Sequence, residues 1–393
     1  MEIISHLLAI SGIFVFLLLL FNLWRVRNGS YKIKGMLAPE PSGALPIIGH
    51  LHKLHGQKPI ARTLAAMADK HGPIFMLRFG MKPALVVSNY EAVKECFTTN
   101  DKALNARPKS SHGKYLAYNY AGFGFANDGQ IWRKMRKLTM LELLSSRRLE
   151  TLKNVQVFEV DSLIKDLYLL CKNNEHNHAK VMISERIERL TFNIITKMIA
   201  GKRYFDNAHD GNDEEAERIG NLIKDFMYIS GVPVISDLIP FLGCFDLLGQ
   251  VKSMKRIGRD LDSLIGSWVE EHTMRRLKNE PTDNPDFIDV MLSVIEDDSM
   301  FGYTRETLIK AQAVNLIVAG SDTTSINLIW LLSLLLNNKH ALKRAQEELD
   351  LKGFELMTPL NMPVDMTEGS SITLPKATPL EVLLTPRLSS ELY

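Results

Sequence analysis

The chain has 393 residues, 46% of them hydrophobic, and a formal net charge of +2. Its basic and acidic residues nearly balance, so it lacks the strongly basic field that binds nucleic acid. The three cysteines, Cys96, Cys171 and Cys244, are far apart and odd in number. A disulfide framework is therefore not expected, which fits a reducing compartment for the soluble part.

An apolar segment runs from Ile3 to Trp24, with His6 as its only ionisable residue. A helix of this length crosses about 30 Å of hydrocarbon at about 1.5 Å per residue. Basic residues follow directly, so the positive-inside rule predicts that residues 1–24 form a single transmembrane anchor with a cytosolic body. A cleaved secretory peptide is the alternative, but in place of its usual positive leading end the chain has the acidic Glu2.

Residues 25–57 are basic and then rich in proline, which predicts a stiff linker. The runs Ile74–Phe79 and Ala84–Ser88 are predicted to be short strands around a turn. Ser88 to Glu91 then has the spacing of a capping box at the start of a helix. From Gln130 to about Pro281 the pattern is mostly helical. Breaks in it are expected near four glycines and prolines, namely Gly201, Gly211, Pro233 and Pro240.

A long helix is predicted over Thr304–Leu336, with its first residue as the N-cap, and a shorter charged helix over Lys339–Asp350. The tail from Leu351 contains the strand-like run Leu380–Leu384. The fold class is therefore mainly α with small β sheets. The long helix is apolar enough to be a second membrane span, but Asp322 near mid-membrane would cost roughly 2.5–3.5 kcal/mol. A buried core helix is the preferred interpretation.

The long helix contains a polar cluster, Ala319-Gly320-Ser321-Asp322-Thr323-Thr324-Ser325. Glycine costs about 1 kcal/mol relative to alanine in a helix, and short polar side chains compete for its backbone hydrogen bonds. One interpretation is a local opening where an acid beside an alcohol relays protons to a bound group. The other is a kinked helix whose hydroxyls bond back to carbonyls four residues earlier. The residues alone leave both open.

Trp132 and Arg136 lie four residues apart at the start of another predicted helix, so they share one face. An indole N–H and a guanidinium side by side suit a carboxylate or a propionate. The alternative, favoured by these residues alone, is a solvated basic helix end with one buried tryptophan.

Two groups of histidines lie in polar stretches that are predicted to be at the surface. They are His50, His52 and His55, and the pair His176 and His178. Their spacing matches no standard metal site, so no metal ligand is assigned.

In their order along the chain, these segments resemble plant cytochromes P-450. The resemblance rests on Pro46–Leu51, Trp132 with Arg136, Leu190–Asn193, Ala200–Phe205 and Ala319–Ser325. The tail, with Pro363–Gly369 and Leu374–Leu380, resembles the plant family numbered eighty-two. The resemblance implies a cytochrome P-450 fold around haem b and an anchor in the endoplasmic reticulum membrane. It also implies hydroxylation of an apolar or aromatic plant specialised metabolite, with O2 and with NADPH electrons that arrive through a reductase.

The same resemblance assigns roles by position. A haem propionate would be held by Trp132 and Arg136, the haem face would be covered by Ala319 and Gly320, and protons for oxygen activation would come through Asp322 and Thr323. Residues 115–125 would lie near the substrate.

The chain departs from the family pattern on the proximal side of the haem. The family's Glu-x-x-Arg helix is not found after the long helix, and none of the three cysteines lies in the loop Phe-x-x-Gly-x-Arg-x-Cys-x-Gly that supplies the axial thiolate. The sequence up to Asp350 and the sequence from Leu351 both resemble the family, but the family segment that should lie between them, with the proximal side of the haem pocket, is missing. Residues 58–350 are thus expected to be the N-terminal and central part of the domain, and 351–393 a remnant of its C-terminal part.

Three functions compete at this point. The first is a haem-thiolate monooxygenase, which needs the missing ligand. The second is a non-catalytic truncated form or a gene-model artefact, with competition for the reductase as its conceivable activity. The third, a membrane-bound carrier of apolar ligands, has only the hydrophobic core in its support.

Overall fold

The structure is a computed structural model that describes two sets of residues. The long ranges are 38–54, 59–174, 177–205, 214–242, 248–280, 284–295, 299–348 and 353–392, and the short pieces are 11–12, 14–16, 56 and 246. Most of the predicted anchor, the junction at Asp350 and Leu351, and Cys244 lie outside them. The chain forms two compact units, Met1–Asn105 with Pro233–Asp246 and Ala106–Val232 with Leu247–Tyr393.

Helices dominate the described residues, with three small antiparallel sheets, as predicted. The helices are α1 Leu51–Leu54, α2 Ile60–His71, α3 Tyr90–Phe97, α4 Asp101–Leu104, α5 Ser111–Tyr115, α6 Gln130–Glu142, α7 Ser146–Lys172, α8 Ile183–Ala200, α9 Glu214–Ser230, α10 Ile235–Leu238, α11 Gln250–Leu277, α12 Phe287–Val294, α13 Arg305–Asn337 and α14 Lys339–Glu348. The strands are β1 Ile74–Phe79, β2 Lys82–Val87, β3 Ala179–Met182, β4 Ser299–Met300, β5 Tyr303–Thr304, β6 Phe354–Met357 and β7 Glu381–Pro386.

The first unit contains the predicted hairpin of β1 and β2, whose antiparallel register pairs Ile74 with Val87. Leu54 and two strand residues form its small core. The helix after the hairpin is confirmed, but the predicted capping box is wrong. Asn89 is the N-cap of α3 and makes no side-chain cap bond, so Glu91 stands one position too early to close a box.

His50 corrects a second prediction in this unit. It is fully buried rather than at the surface. Its Nδ1 accepts the N–H of Arg78 at 3.0 Å, and its Nε2 lies 2.9 Å from the Pro41 carbonyl. Because Nδ1 accepts that N–H, Nε2 is the ring nitrogen that donates to the carbonyl. His50 therefore joins backbone segments and has no nitrogen left for a metal.

The second unit is built around α13, which packs lengthwise against α8 and also contacts α9, α11 and α12. The long helix and its N-cap are confirmed, since Thr304 Oγ1 accepts the N–H of Thr307 at 3.1 Å. By length and composition, α13 is the one helix of the described residues that could cross a membrane. Ile317, Ile329 and Leu336 of this helix are buried, and 33% of its most apolar window is buried.

The tail returns to the middle of this unit as a strand. β7 lies between β3 and β6, with Val382 opposite Val181 and Leu384 opposite Leu356. The strand-like run in the tail is thus confirmed, whereas β3 was not predicted. Of the predicted helix breaks, Gly201 ends α8 with a left-handed φ of 65°.

Candidate functional site

Trp132 and Arg136 share one face of α6, as their spacing predicts. The guanidinium carbon of Arg136 lies 5.0 Å from the centroid of the indole ring, which is a cation–π contact. Arg136 is exposed, and it forms no ion pair within the described part of the chain. Its neighbour Arg133 is instead paired with Asp128 at 2.8 Å. The guanidinium of Arg136 is therefore not neutralised by a described acidic side chain.

The polar cluster of α13 stays helical throughout, so the local opening of the first interpretation is not found. The hydroxyl of Thr323 donates to the Ala319 carbonyl at 2.5 Å, four residues earlier. Ser325 donates to the Asp322 carbonyl at 2.9 Å. Thr323 and Ser325 thus bond back to the helix backbone, and the Thr323 bond is the one that the second interpretation predicted.

Asp322 and Thr323 are turned to different sides of α13, because successive residues of a helix point about 100° apart. Thr323 and Ala319 are exposed, whereas Asp322 is half-buried. The structure therefore does not bring the predicted acid and alcohol together. Gly320 lies close to α8, where a Cβ would stand 2.7 Å from the Cδ1 of Ile195.

The carboxylate of Asp322 instead meets a hydroxyl of the C-terminal tail. Thr373 Oγ1 donates to Asp322 Oδ2 at 2.8 Å. The pKa of Asp322 is raised, mainly because the carboxyl is buried. The hydrogen bond from Thr373 and the charge of Lys224 lower the pKa, whereas the charge of Glu188 raises it. No feature of the sequence pointed to Thr373, since a lone threonine in a tail carries no pattern.

Asp322 also lines a cleft of about 340 Å³ between α8, α9 and α13. Lys224 and Glu188 form an ion pair across it, with Nζ 2.7 Å from Oε2. Phe192 and Ser325 contribute to the wall. The cleft lies where Asp322 is turned toward α8 and α9.

Residues 115–125, which are predicted to lie near the substrate, are hydrogen-bonded to α13. Gln312 is fully buried, and it donates to the Ala121 carbonyl at 2.9 Å and accepts the Phe123 N–H at 3.3 Å. This attachment lies about two turns before Ala319. The signal that could have found Gln312 is an amide on the buried face of an apolar helix, because such a group must have partners.

The outward side of α13 is apolar and uncovered. Leu328, Leu331 and Leu334 are 36%, 52% and 57% exposed. Their spacing of three residues makes them neighbours along one exposed stripe of the helix. No described residue covers these leucines. An exposed apolar patch of this kind is typical of a surface that contacts a partner.

The described cysteines do not fit the axial position of a haem. Cys171 is fully buried within an apolar cluster, and its thiol donates to the Leu384 carbonyl at 3.4 Å. Burial raises its pKa, which disfavours the thiolate that iron needs. Cys96 lies on α3, a short surface helix rather than a ligand loop. The second unit contains the contact of Arg136 with Trp132 and the exposed apolar side of α13, but an axial thiolate donor is not found in the described part of the chain.

Comparison with known proteins gives one family and several relatives. The family model for cytochrome P-450 matches residues 39–352. Cytochrome P-450 CYP82J17 of Trigonella foenum-graecum is 57% identical over 337 residues, which cover 84% of this chain and 64% of the relative. Strychnine-10-hydroxylase of Strychnos nux-vomica is 41% identical over 88% of this chain and 67% of its own length. Vinorine hydroxylase of Rauvolfia serpentina is 38% identical over the whole of both chains.

These alignments bear on the predicted junction between Asp350 and Leu351. The family match ends at residue 352. The alignment with vinorine hydroxylase runs over 483 positions whereas the chain has 393 residues, so about 90 positions have no counterpart here. The chain thus spans less than two thirds of the length of the Trigonella relative, while both its ends align with the Rauvolfia one.

Proposed function

The chain belongs to the cytochrome P-450 family, and from this premise we propose that it descends from a haem-dependent monooxygenase and is itself inactive. The observation that carries the proposal is the lack of an axial thiolate in the described residues together with about 90 alignment positions that have no counterpart in the chain. A haem without that thiolate loses the electron donation that favours O–O cleavage.

The relatives' names support the proposed class of substrate. They include hydroxylases of strychnine, vinorine and xanthotoxin, and a flavonoid-6-hydroxylase. An apolar or aromatic plant specialised metabolite is therefore the proposed substrate of the complete enzyme. NADPH electrons through a membrane-bound reductase complete the proposal, since the resemblance implies that partner.

Haem b, when bound to a complete chain, would supply the oxygen chemistry. Trp132 and Arg136 would hold one propionate, because they present an indole N–H and a guanidinium on one exposed face. Ala319 and Gly320 would line the haem side, and Asp322 would hold a proton at its carboxyl. In the present chain we expect at most weak haem binding without a thiolate.

The test is the absorption spectrum of the reduced, carbon-monoxide-bound protein. We expect no red-shifted Soret band from the full chain and no turnover with reductase and NADPH. A variant that carries the corresponding segment of the Trigonella relative between Asp350 and Leu351 should recover the band. A red-shifted band from the unaltered chain would contradict the proposal, and replacing each cysteine by serine would then identify the ligand.

The same junction favours a second candidate, a non-catalytic isoform that competes for the reductase. Sequencing the gene and its transcript across Asp350 and Leu351 separates the two causes of the gap. A transcript that contains the missing exon makes this chain a gene-model artefact, and a transcript without it makes the short form real.

The proposed location is the endoplasmic reticulum membrane, with one N-terminal span over residues 1–24 and a cytosolic body. The apolar run and the basic residues after it support this orientation. A glycosylation acceptor fused after Tyr393 should remain unmodified when the chain is expressed in microsomes. Glycan addition at that site would mean that the body is lumenal.

A further inference from the structure

The C-terminal tail runs antiparallel along α13 and is hydrogen-bonded to it at three positions along the helix axis. Asn337 is paired with Val364, whose N–H it accepts at 2.7 Å and whose carbonyl it bonds at 3.0 Å. Trp330 Nε1 donates to the Leu374 carbonyl at 2.9 Å. Thr373 then reaches Asp322. These bonds span about four turns of the helix, so the tail is fixed along it rather than touching it at one point.

The loop that carries Thr373 is closed at its base. Asp365 accepts the hydroxyls of Thr367 at 2.7 Å and of Thr378 at 3.0 Å. Gly369 donates to the Pro375 carbonyl at 2.7 Å. The tip of this loop is residues 371–374. A loop closed at its base loses less conformational entropy when its tip packs against another element.

The tip also packs against a glycine at the end of α9. A Cβ on Gly231 would stand 2.6 Å from the backbone nitrogen of Ile372. Backbone cannot yield as a flexible side chain does, so this approach requires glycine. The neighbouring Thr373 hydroxyl is therefore placed by backbone packing as well as by its own bond.

We propose that Thr373 is a positioning residue for Asp322, whose carboxylate it orients from the C-terminal tail. The inference rests on the proposed function, in which Asp322 is the proton-holding group. Thr323 does not fill this place, because its hydroxyl already donates to the Ala319 carbonyl. Of the charged groups beside Asp322, Glu188 raises its pKa and Lys224 lowers it, and Thr373 adds a donor that favours the carboxylate.

The experiment follows the titration of Asp322 in the full chain in detergent by infrared spectroscopy. The Asp322 carboxyl band is assigned by its loss in Asp322→Asn. Thr373→Val keeps the side-chain shape and removes the donor, so the midpoint of the titration should move upward. Thr373→Ser keeps the hydroxyl and should restore it. Thr378→Val is the matched control, since it removes a hydroxyl of the same loop that bonds Asp365 instead.

Thr373→Ala is titrated alongside in case the valine variant does not fold, and Gly231→Ala tests the packing of the tip. Both should move the midpoint upward. Unchanged midpoints in the two Thr373 variants overturn the proposal, as does a serine variant that behaves like valine or a Thr378→Val variant that moves Asp322 equally. The titration needs no haem, so its failure and that of the carbon-monoxide test are separate outcomes.

Discussion

Two regions of the second unit differ in how completely their side chains are bonded or covered. They are the corner between α11 and α12 and the outward side of α13. At the corner, His272 is fully buried between two acceptors, with Nδ1 2.7 Å from the Trp268 carbonyl and Nε2 2.7 Å from Asp286 Oδ2. Asp286 and Asp289 also close a capping box at the start of α12. Every partner at this corner comes from residues before the junction.

The outward side of α13 has no such closure. Leu328, Leu331 and Leu334 are exposed, whereas Ile329 on the opposite side is 5% exposed. Exposed apolar surface forfeits about 25 cal/mol per Å² relative to burial. The comparison teaches that residues before the junction satisfy the polar groups of the corner, whereas the outward side of α13 exposes leucines that no described residue covers.

Breaking the closed corner should have the largest effect. His272→Ala leaves the Asp286 carboxylate buried without its cation, and the loss of one partner of a buried pair costs about 3–5 kcal/mol of unfolding free energy. Urea unfolding of the full chain in detergent measures it. His340→Ala, on the exposed surface of α14, is the control and should stay within about 0.5 kcal/mol.

The same variant predicts a pH dependence. Burial by itself lowers the pKa of His272, but the bond to Asp286 and its charge outweigh burial, so the pKa lies above its usual value. The stabilisation is then fully present below the unfolded value of about 6.5 and is lost as the pH rises through the folded-state pKa. The difference between the unaltered chain and His272→Ala should shrink over that rise. A constant difference across this window would mean that the ring is neutral at every pH.

The two sides of α13 should respond unequally to the same change. Ile329→Ala removes a buried side chain and should cost about 2–5 kcal/mol. Leu331→Ala removes an exposed one and should change the free energy of unfolding by no more than about 0.5 kcal/mol. It should also reduce aggregation and dye binding, because the exposed leucines are the surface that associates. Equal costs on both sides would show that a partner already covers the outward side.

Local patterns in the sequence predicted elements with strong periodicity. The hairpin of β1 and β2, the long α13 with Thr304 as its cap, and the strand in the tail are confirmed. These elements depend on neighbours in sequence, so alternation, apolar runs and capping residues are sufficient evidence for them. The shared face of Trp132 and Arg136 is confirmed for the same reason, since four residues make about one helical turn.

Contacts between distant segments were beyond such patterns. His50 was predicted at the surface because its neighbours are polar, yet it is buried by Pro41 and Arg78. Asp322 and Thr323 are adjacent in sequence, but Asp322 accepts a hydrogen bond from Thr373 in the tail, whereas Thr323 is exposed.

The sequence by itself determined the family and the helix that carries the polar cluster, because these depend on residue order. The tertiary structure decided the partner of each polar side chain. Thr373 meets Asp322 across 51 residues, and Gln312 meets Ala121 across 191. A hydroxyl or an amide finds its partner through the packing of whole elements, and this packing brings together residues whose separation along the chain carries no signal.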